Sequence, residues 1–213
     1  MHGTTARSAN KPYRRAGTVI VGASCCWGVG ISFVGMVHAT KDPAARLAML
    51  QRSRMPWVAG QFLAAAGTAA VPVGFLRFAQ AVRSGPAKNL VTAAASALLA
   101  GAPLFVVAVA ERAADPEAFA YRRGPNWPFI TYAGLHIAAL AALGSGLLLS
   151  PLKHWTGVTA LASVPLFGSI LAGTKDIPPF VFYLVEAAVG VQLMRYQETA
   201  LPAGGQRRRE GGS

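Results

Sequence analysis

Charged residues are scarce in this chain. They make up 13% of its 213 residues, whereas a soluble domain usually carries about 25%. Hydrophobic residues reach 53%, and they occur in blocks of about 20, the number of helical residues that crosses a hydrocarbon core of roughly 30 Å. The shortage of charge therefore argues against an ordinary soluble domain, and the apolar blocks predict a membrane protein.

Cysteines and catalytic motifs are also scarce. The two cysteines, Cys25 and Cys26, are adjacent, so on a helix they point about 100° apart and do not converge on a metal. No disulfide framework can be built from them. There is no nucleophile elbow, zinc-binding His-Glu-x-x-His or nucleotide-binding glycine loop. We therefore predict no metal, no cofactor and no catalytic residue, which argues against an enzyme without excluding one.

Six apolar blocks are long enough to form transmembrane helices. We predict an all-α membrane protein, a compact bundle of six transmembrane helices over residues 17–195, flanked by disordered basic tails at 1–16 and 196–213. Close helix packing in lipid needs small residues four apart, and Gly60-Ala64-Thr68 and Thr92-Ser96-Ala100 are two such ridges. The predicted spans lie at about 17–39, 56–76, 89–110, 127–149, 155–172 and 178–194.

Two connections carry a helix-start signal. Asp42-Pro43 follows the first span and Asp115-Pro116 follows the third. Aspartate is a favoured N-cap, and proline is favoured at the first helical position. We predict two short interfacial helices here, on the same side of the membrane.

The net charge of +12 comes from tails and loops beside apolar spans. This placement favours attraction to anionic lipid headgroups over nucleic-acid binding. With six spans both termini share a side, and that side carries twelve Lys and Arg against eight on the other, which predicts cytoplasmic termini. An Arg-, Ala- and Gly-rich composition suggests a bacterial cytoplasmic membrane. Partner membrane helices or a homo-oligomer are further expected contacts.

Glu186 is the strongest candidate for a functional residue. It lies eight residues past Pro178, about 12 Å into the sixth span, where a carboxyl group is costly and marks a functional site by default. His136 lies at a matching depth in the fourth span. Tyr132 and Tyr183 fall on the same helix faces as these two residues. We predict that His136 and Glu186 meet inside the bundle, in one proton or substrate site with the two tyrosines; the alternative is a separate, purely structural role for each.

His38, Glu111 and Gln61 lie toward the end of the bundle from which the fourth and sixth spans start. They could form an outer polar funnel, or His38 and Glu111 could be ordinary interfacial residues. Three functions remain open: a small-solute or proton-linked transporter using Glu186 and His136, a non-catalytic subunit or scaffold, and an intramembrane lipid-modifying enzyme. The buried charge favours the transporter.

Overall fold

The computed structural model describes residues 11–33 and 35–196, and within these ranges every regular element is a helix. The predicted all-α class is therefore confirmed. The elements are α1 (Lys11–Ser32), α2 (Gly35–Ala39), α3 (Pro43–Arg52), α4 (Arg54–Ala81), α5 (Pro86–Ala114), α6 (Pro116–Ala120), α7 (Trp127–Leu148), α8 (His154–Thr174) and α9 (Phe180–Arg195).

Four of the described helices, α4, α5, α7 and α8, are long and apolar enough to cross a membrane. This supports the membrane-protein class. The helix α1 starts with a basic turn, and α9 has only 16 residues and contains Glu186. These two helices do not meet the same criterion of length and apolar character. The count of six spans therefore stays a prediction.

The first helix differs from its predicted bounds of 17–39. It starts earlier, at Lys11, and ends at Ser32, and a separate short helix, α2, follows. The early start has a packing reason, because the ring of Tyr13 lies 4.9 Å from that of Tyr196 and 5.9 Å from that of Phe78. Residues 11–16, assigned to a disordered tail, are therefore helical. Residues 1–10 and 197–213 lie outside the described residues.

Both short helices after the first and third spans are present. In α3 the Asp42 carboxylate accepts a hydrogen bond from the Ala45 N–H, and in α6 the Asp115 carboxylate accepts one from the Ala118 N–H, both at 2.9 Å. Proline opens each helix, as predicted. Their position at the membrane interface remains a prediction.

The long helices form a ring of antiparallel neighbours. Helix α1 packs between α4 and α9, α4 packs on α5, α5 on α7, and α7 on α8, while a smaller contact between α8 and α9 closes the ring. The tail end of the bundle is the end where α1 begins and α9 finishes. Helices α7 and α9 are not backbone neighbours, so they meet through side chains that fill the interior.

Glycine allows the closest of these approaches. A Cβ added to Gly67 of α4 would lie 2.7 Å from the Ala23 carbonyl oxygen of α1, closer than carbon and oxygen can pack. The predicted ridge Gly60-Ala64-Thr68 is confirmed as buried in this region. The predicted ridge Thr92-Ser96-Ala100 is wrong, because these residues are exposed and α5 packs through its other face, including Ala94, Ala95 and Leu98.

A buried arginine joins the two short helices. Arg46 of α3 is 3% exposed, and it donates to the Ala120 carbonyl of α6 at 2.9 Å and to the Thr40 carbonyl at 3.1 Å. Leu50, Trp57 and Ala120 are buried beside it. The charge of Arg46 is thus used to satisfy backbone carbonyls rather than to face solvent.

We expect Arg46→Met to destabilise the protein by about 2 kcal/mol, because it leaves two carbonyls without their charged donor. The matched control is Arg52→Met on the same helix, where the side chain is exposed and the change should stay within about 0.5 kcal/mol. Denaturation in mixed detergent micelles, followed by circular dichroism, gives both values. Equal stability of the two variants would contradict the assigned role of Arg46.

Candidate functional site

The structure brings His136 and Glu186 into direct contact. His136 Nε2 of α7 lies 2.8 Å from Glu186 Oε1 of α9, and the two residues are 3% and 0% exposed. Both helices begin at the end opposite the tail end, which gives the two residues matching depth. The predicted meeting of the two residues is present, and its use as a proton or substrate site stays a prediction.

A chain of hydroxyl groups lies beside this pair. The hydroxyl oxygens of Tyr132 and Tyr183 are 2.9 Å apart, and that of Tyr183 also contacts Thr68 Oγ1. Thr68 donates its own proton to the Ala64 carbonyl at 2.9 Å. Thr68 must therefore accept from Tyr183, and Tyr183 must accept from Tyr132. The direction of the chain is fixed, and both tyrosine protons are committed away from Glu186.

Aromatic packing holds these groups in place. The His136 ring stacks on Phe182, with centroids 4.5 Å apart and an angle of 20°. The Tyr183 ring stacks on Trp27 of α1 at 4.4 Å and 16°. Stacking of this kind adds about 0.5–1.5 kcal/mol per pair beyond simple burial. The pair and the hydroxyl chain thus lie in a closely packed interior built from α1, α4, α7 and α9.

The same interior contains polar atoms that other described residues leave unsatisfied. Glu186 Oε2, Trp27 Nε1 and Ser24 Oγ are buried and accept or donate no hydrogen bond within the described part of the chain. A buried group of this kind typically costs about 1–3 kcal/mol unless something satisfies it. The site therefore has hydrogen-bonding capacity beyond its internal contacts.

The residues of the predicted outer funnel, unlike His136 and Glu186, have no described contact with one another. The His38 ring lies 5.8 Å from that of Trp57 and 5.5 Å from that of Phe119, in the cluster around the short helices. Glu111 is exposed, and Gln61 is buried in α4. Within the described ranges no three His, Cys, Asp or Glu residues could hold a metal together. The funnel stays a prediction.

Sequence reasoning missed one polar contact in the same helix as Glu186. Gln192 of α9 is buried, donates to the Lys153 carbonyl at 2.7 Å, and accepts from the Thr156 hydroxyl of α8. The sequence does indicate such a contact, because a side-chain amide inside an apolar span needs hydrogen-bond partners just as a carboxyl group does. The contact joins α9 to the start of α8, where the ring has its smallest helix–helix contact.

A buried acid–base pair on facing helices, beside a directed chain of three hydroxyl groups, is the chemistry that this site offers. Neither residue of the pair is available to a partner from outside the bundle in this arrangement. Comparison of the chain with known protein families, curated proteins and solved structures finds no match in any of the three.

Proposed function

We propose that this chain is a six-span membrane protein that carries protons, alone or with a small solute, and that His136 and Glu186 form its protonation site. The 2.8 Å contact between the two residues, at exposures of 3% and 0%, carries the proposal. A single proton gained or lost here changes the net charge of a buried interior. Such a change is expensive unless the helices rearrange, which is how protonation drives a transporter.

The burial of Glu186 weighs against the scaffold alternative. In that reading the carboxyl group would bind a helix of another protein, which requires Glu186 to face outward. It is 0% exposed, and its bonded oxygen is already used by His136. The lipid-modifying alternative needs His38 and Glu111 to join the pair, and their contacts lie instead with the short-helix cluster and with the surface.

The membrane orientation belongs to the same proposal. We place α1 and α9 across the membrane as well, since α1 packs along both α4 and α9. We place both termini in the cytoplasm of a bacterial cell, with anionic lipid headgroups around the basic tail end. Apart from Glu186, the acidic residues among those described all lie toward the opposite end: Asp42, Glu111, Asp115, Glu117 and Asp176.

Cysteine labelling tests this orientation. In a background lacking Cys25 and Cys26, single cysteines introduced at positions 8 and 206 should both be protected from an impermeant thiol reagent in intact cells. Both should react after the membrane is opened. Reaction of one position in intact cells and protection of the other would show an odd number of spans.

Proton uptake into vesicles tests the function. Purified protein in liposomes that contain a pH-sensitive dye should take up protons when a potassium diffusion potential is imposed, faster than protein-free liposomes. Glu186→Gln keeps the shape and one hydrogen bond but cannot titrate, so its rate should fall to that of protein-free liposomes.

The matched control for the uptake experiment is Glu117→Gln. Glu117 is an exposed glutamate whose only described ion pair, with Arg123, is a loose surface contact of 3.6 Å that contributes little. Its rate should equal that of the unaltered protein. Full uptake by Glu186→Gln would overturn the proposed function.

A further inference from the structure

We infer that Ser24, Trp27 and Glu186 bind a water molecule in the seam between α1 and α9, and that this water delivers protons to Glu186. The inference rests on the proposed function and extends it, because it assigns an entry route and two residues of α1. The three residues supply three buried polar atoms that lack a hydrogen-bond partner among the described residues.

The antiparallel register of α1 and α9 places these residues at neighbouring levels of the seam. A Cβ added to Gly190 of α9 would lie 2.8 Å from Val21 Cγ2 of α1. One turn further along α1 is Ser24, and one turn back along α9 is Glu186. Trp27 lies about one turn beyond Ser24 on α1, and its ring stacks on that of Tyr183, about one turn before Glu186 on α9. Ser24 is thus level with Glu186 on the facing helix.

The chemistry of the three atoms matches one water molecule. Glu186 Oε2 can only accept when ionised, Trp27 Nε1 can only donate, and the Ser24 hydroxyl can do either. A water molecule donates to the carboxylate and accepts from the indole, and buried waters typically make about three hydrogen bonds. A metal cation does not fit this set, because the indole N–H would point its positive end at the ion.

The tyrosines cannot supply the missing hydrogen bond to Glu186. Their protons are committed along the chain to Thr68 and the Ala64 carbonyl. The His136 ring nitrogen is bonded to the other carboxylate oxygen. Glu186 Oε2 is therefore the carboxylate oxygen that has no hydrogen-bond partner among the described residues, and we place the water between it and Ser24.

We place the entry of protons at the tail end of the bundle, beyond the close contact between Gly17 and Gly190. Tyr13, Val191, Gln192, Arg195 and Tyr196 are among the residues that line a groove there, and Gln192 lies six residues, or about 9 Å, from Glu186 along α9. A proton that arrives from this side as a hydronium ion passes to Glu186 Oε2. The carboxylate becomes a carboxyl group, and a neutral water molecule remains in the seam.

Nuclear magnetic resonance of the tryptophan indole groups tests the site directly. The protein is labelled with ¹⁵N-tryptophan in lipid nanodiscs, and Trp27→Phe identifies the Trp27 signal. We expect a magnetisation-transfer peak between water and the Trp27 indole N–H. The peak should be lost in Ser24→Val, which fills the water position, and kept in the matched control Cys25→Val, whose residue is exposed on the same helix.

The proton-uptake assay provides a second test of the water site. Ser24→Val should slow uptake strongly, Ser24→Ala only partly because a second water can replace the hydroxyl, and Cys25→Val not at all. Absence of the water peak in the unaltered protein, or its presence with undiminished uptake by Ser24→Val, would overturn this inference. Neither result bears on the proposed function, which fails if Glu186→Gln transports normally or if the unaltered protein takes up protons no faster than protein-free liposomes.

Discussion

Replacing Glu186 with leucine is expected to destabilise the protein by about 3 kcal/mol, because it removes one partner of a buried hydrogen-bonded pair. His136 Nε2, now bonded to Glu186 at 2.8 Å, would be left in an apolar interior. The Phe182 ring stacked on His136 prevents the imidazole from turning away without losing that contact. The free energy of unfolding in mixed micelles gives the loss.

The conservative replacement separates stability from function. Glu186→Gln keeps a side chain that can hydrogen-bond His136, so its stability should stay within about 1 kcal/mol of the unaltered protein, although its proton uptake is lost. The double variant His136→Leu with Glu186→Leu should recover much of the stability, since two apolar groups then meet. A double variant less stable than either single one would show that the pair is not a coupled unit.

Replacing Gly17 with alanine is the second change for which we expect a large effect. The added Cβ would lie 2.4 Å from the Gly190 carbonyl oxygen and 2.9 Å from the Met194 backbone nitrogen. Backbone atoms cannot rotate aside as a flexible side chain can, so α1 and α9 must move apart. Overpacking of this kind costs about 1–3 kcal/mol, and here it also widens the seam next to Ser24 and Glu186.

The matched control is Gly22→Ala on the same helix. An added Cβ there meets nothing within 4 Å, and alanine is the better helix former by roughly 0.5–1 kcal/mol. Gly22→Ala should therefore be neutral or stabilising while Gly17→Ala destabilises. Equal effects of the two changes in thermal unfolding would contradict the close contact between α1 and α9.

The acid–base pair could be predicted because depth in a span is readable from the sequence. Counting residues from Trp127 and from Pro178 puts His136 and Glu186 at one level, whichever way the chain is oriented. Which helices are neighbours is not readable in this way. Thr68, Trp27 and Ser24 join the site only because the ring order places α1 between α4 and α9, and no sequence pattern specifies that order.

The end of the first helix shows a second limit of sequence patterns. The apolar run of the first span continues past Ser32 to Ala39, so hydropathy gives no reason for a helix to end at Ser32. In contrast, the starts of α3 and α6 were predictable, because an aspartate cap followed by proline acts locally. Helix starts that depend on local capping could be predicted from the sequence. Helix ends and packing faces that depend on tertiary contacts could not, as the exposed Thr92-Ser96-Ala100 ridge also shows.

Infrared difference spectroscopy tests directly whether the buried carboxyl group of Glu186 exchanges a proton with the aqueous phase. Spectra of the protein in lipid are recorded as the pH of the medium is changed, and Glu186→Gln identifies the band of Glu186. We expect a carboxyl band that gives way to a carboxylate band, that is missing in Glu186→Gln and that is shifted in His136→Leu. A Glu186 band that does not change with pH would show that this carboxyl group exchanges no proton with the medium.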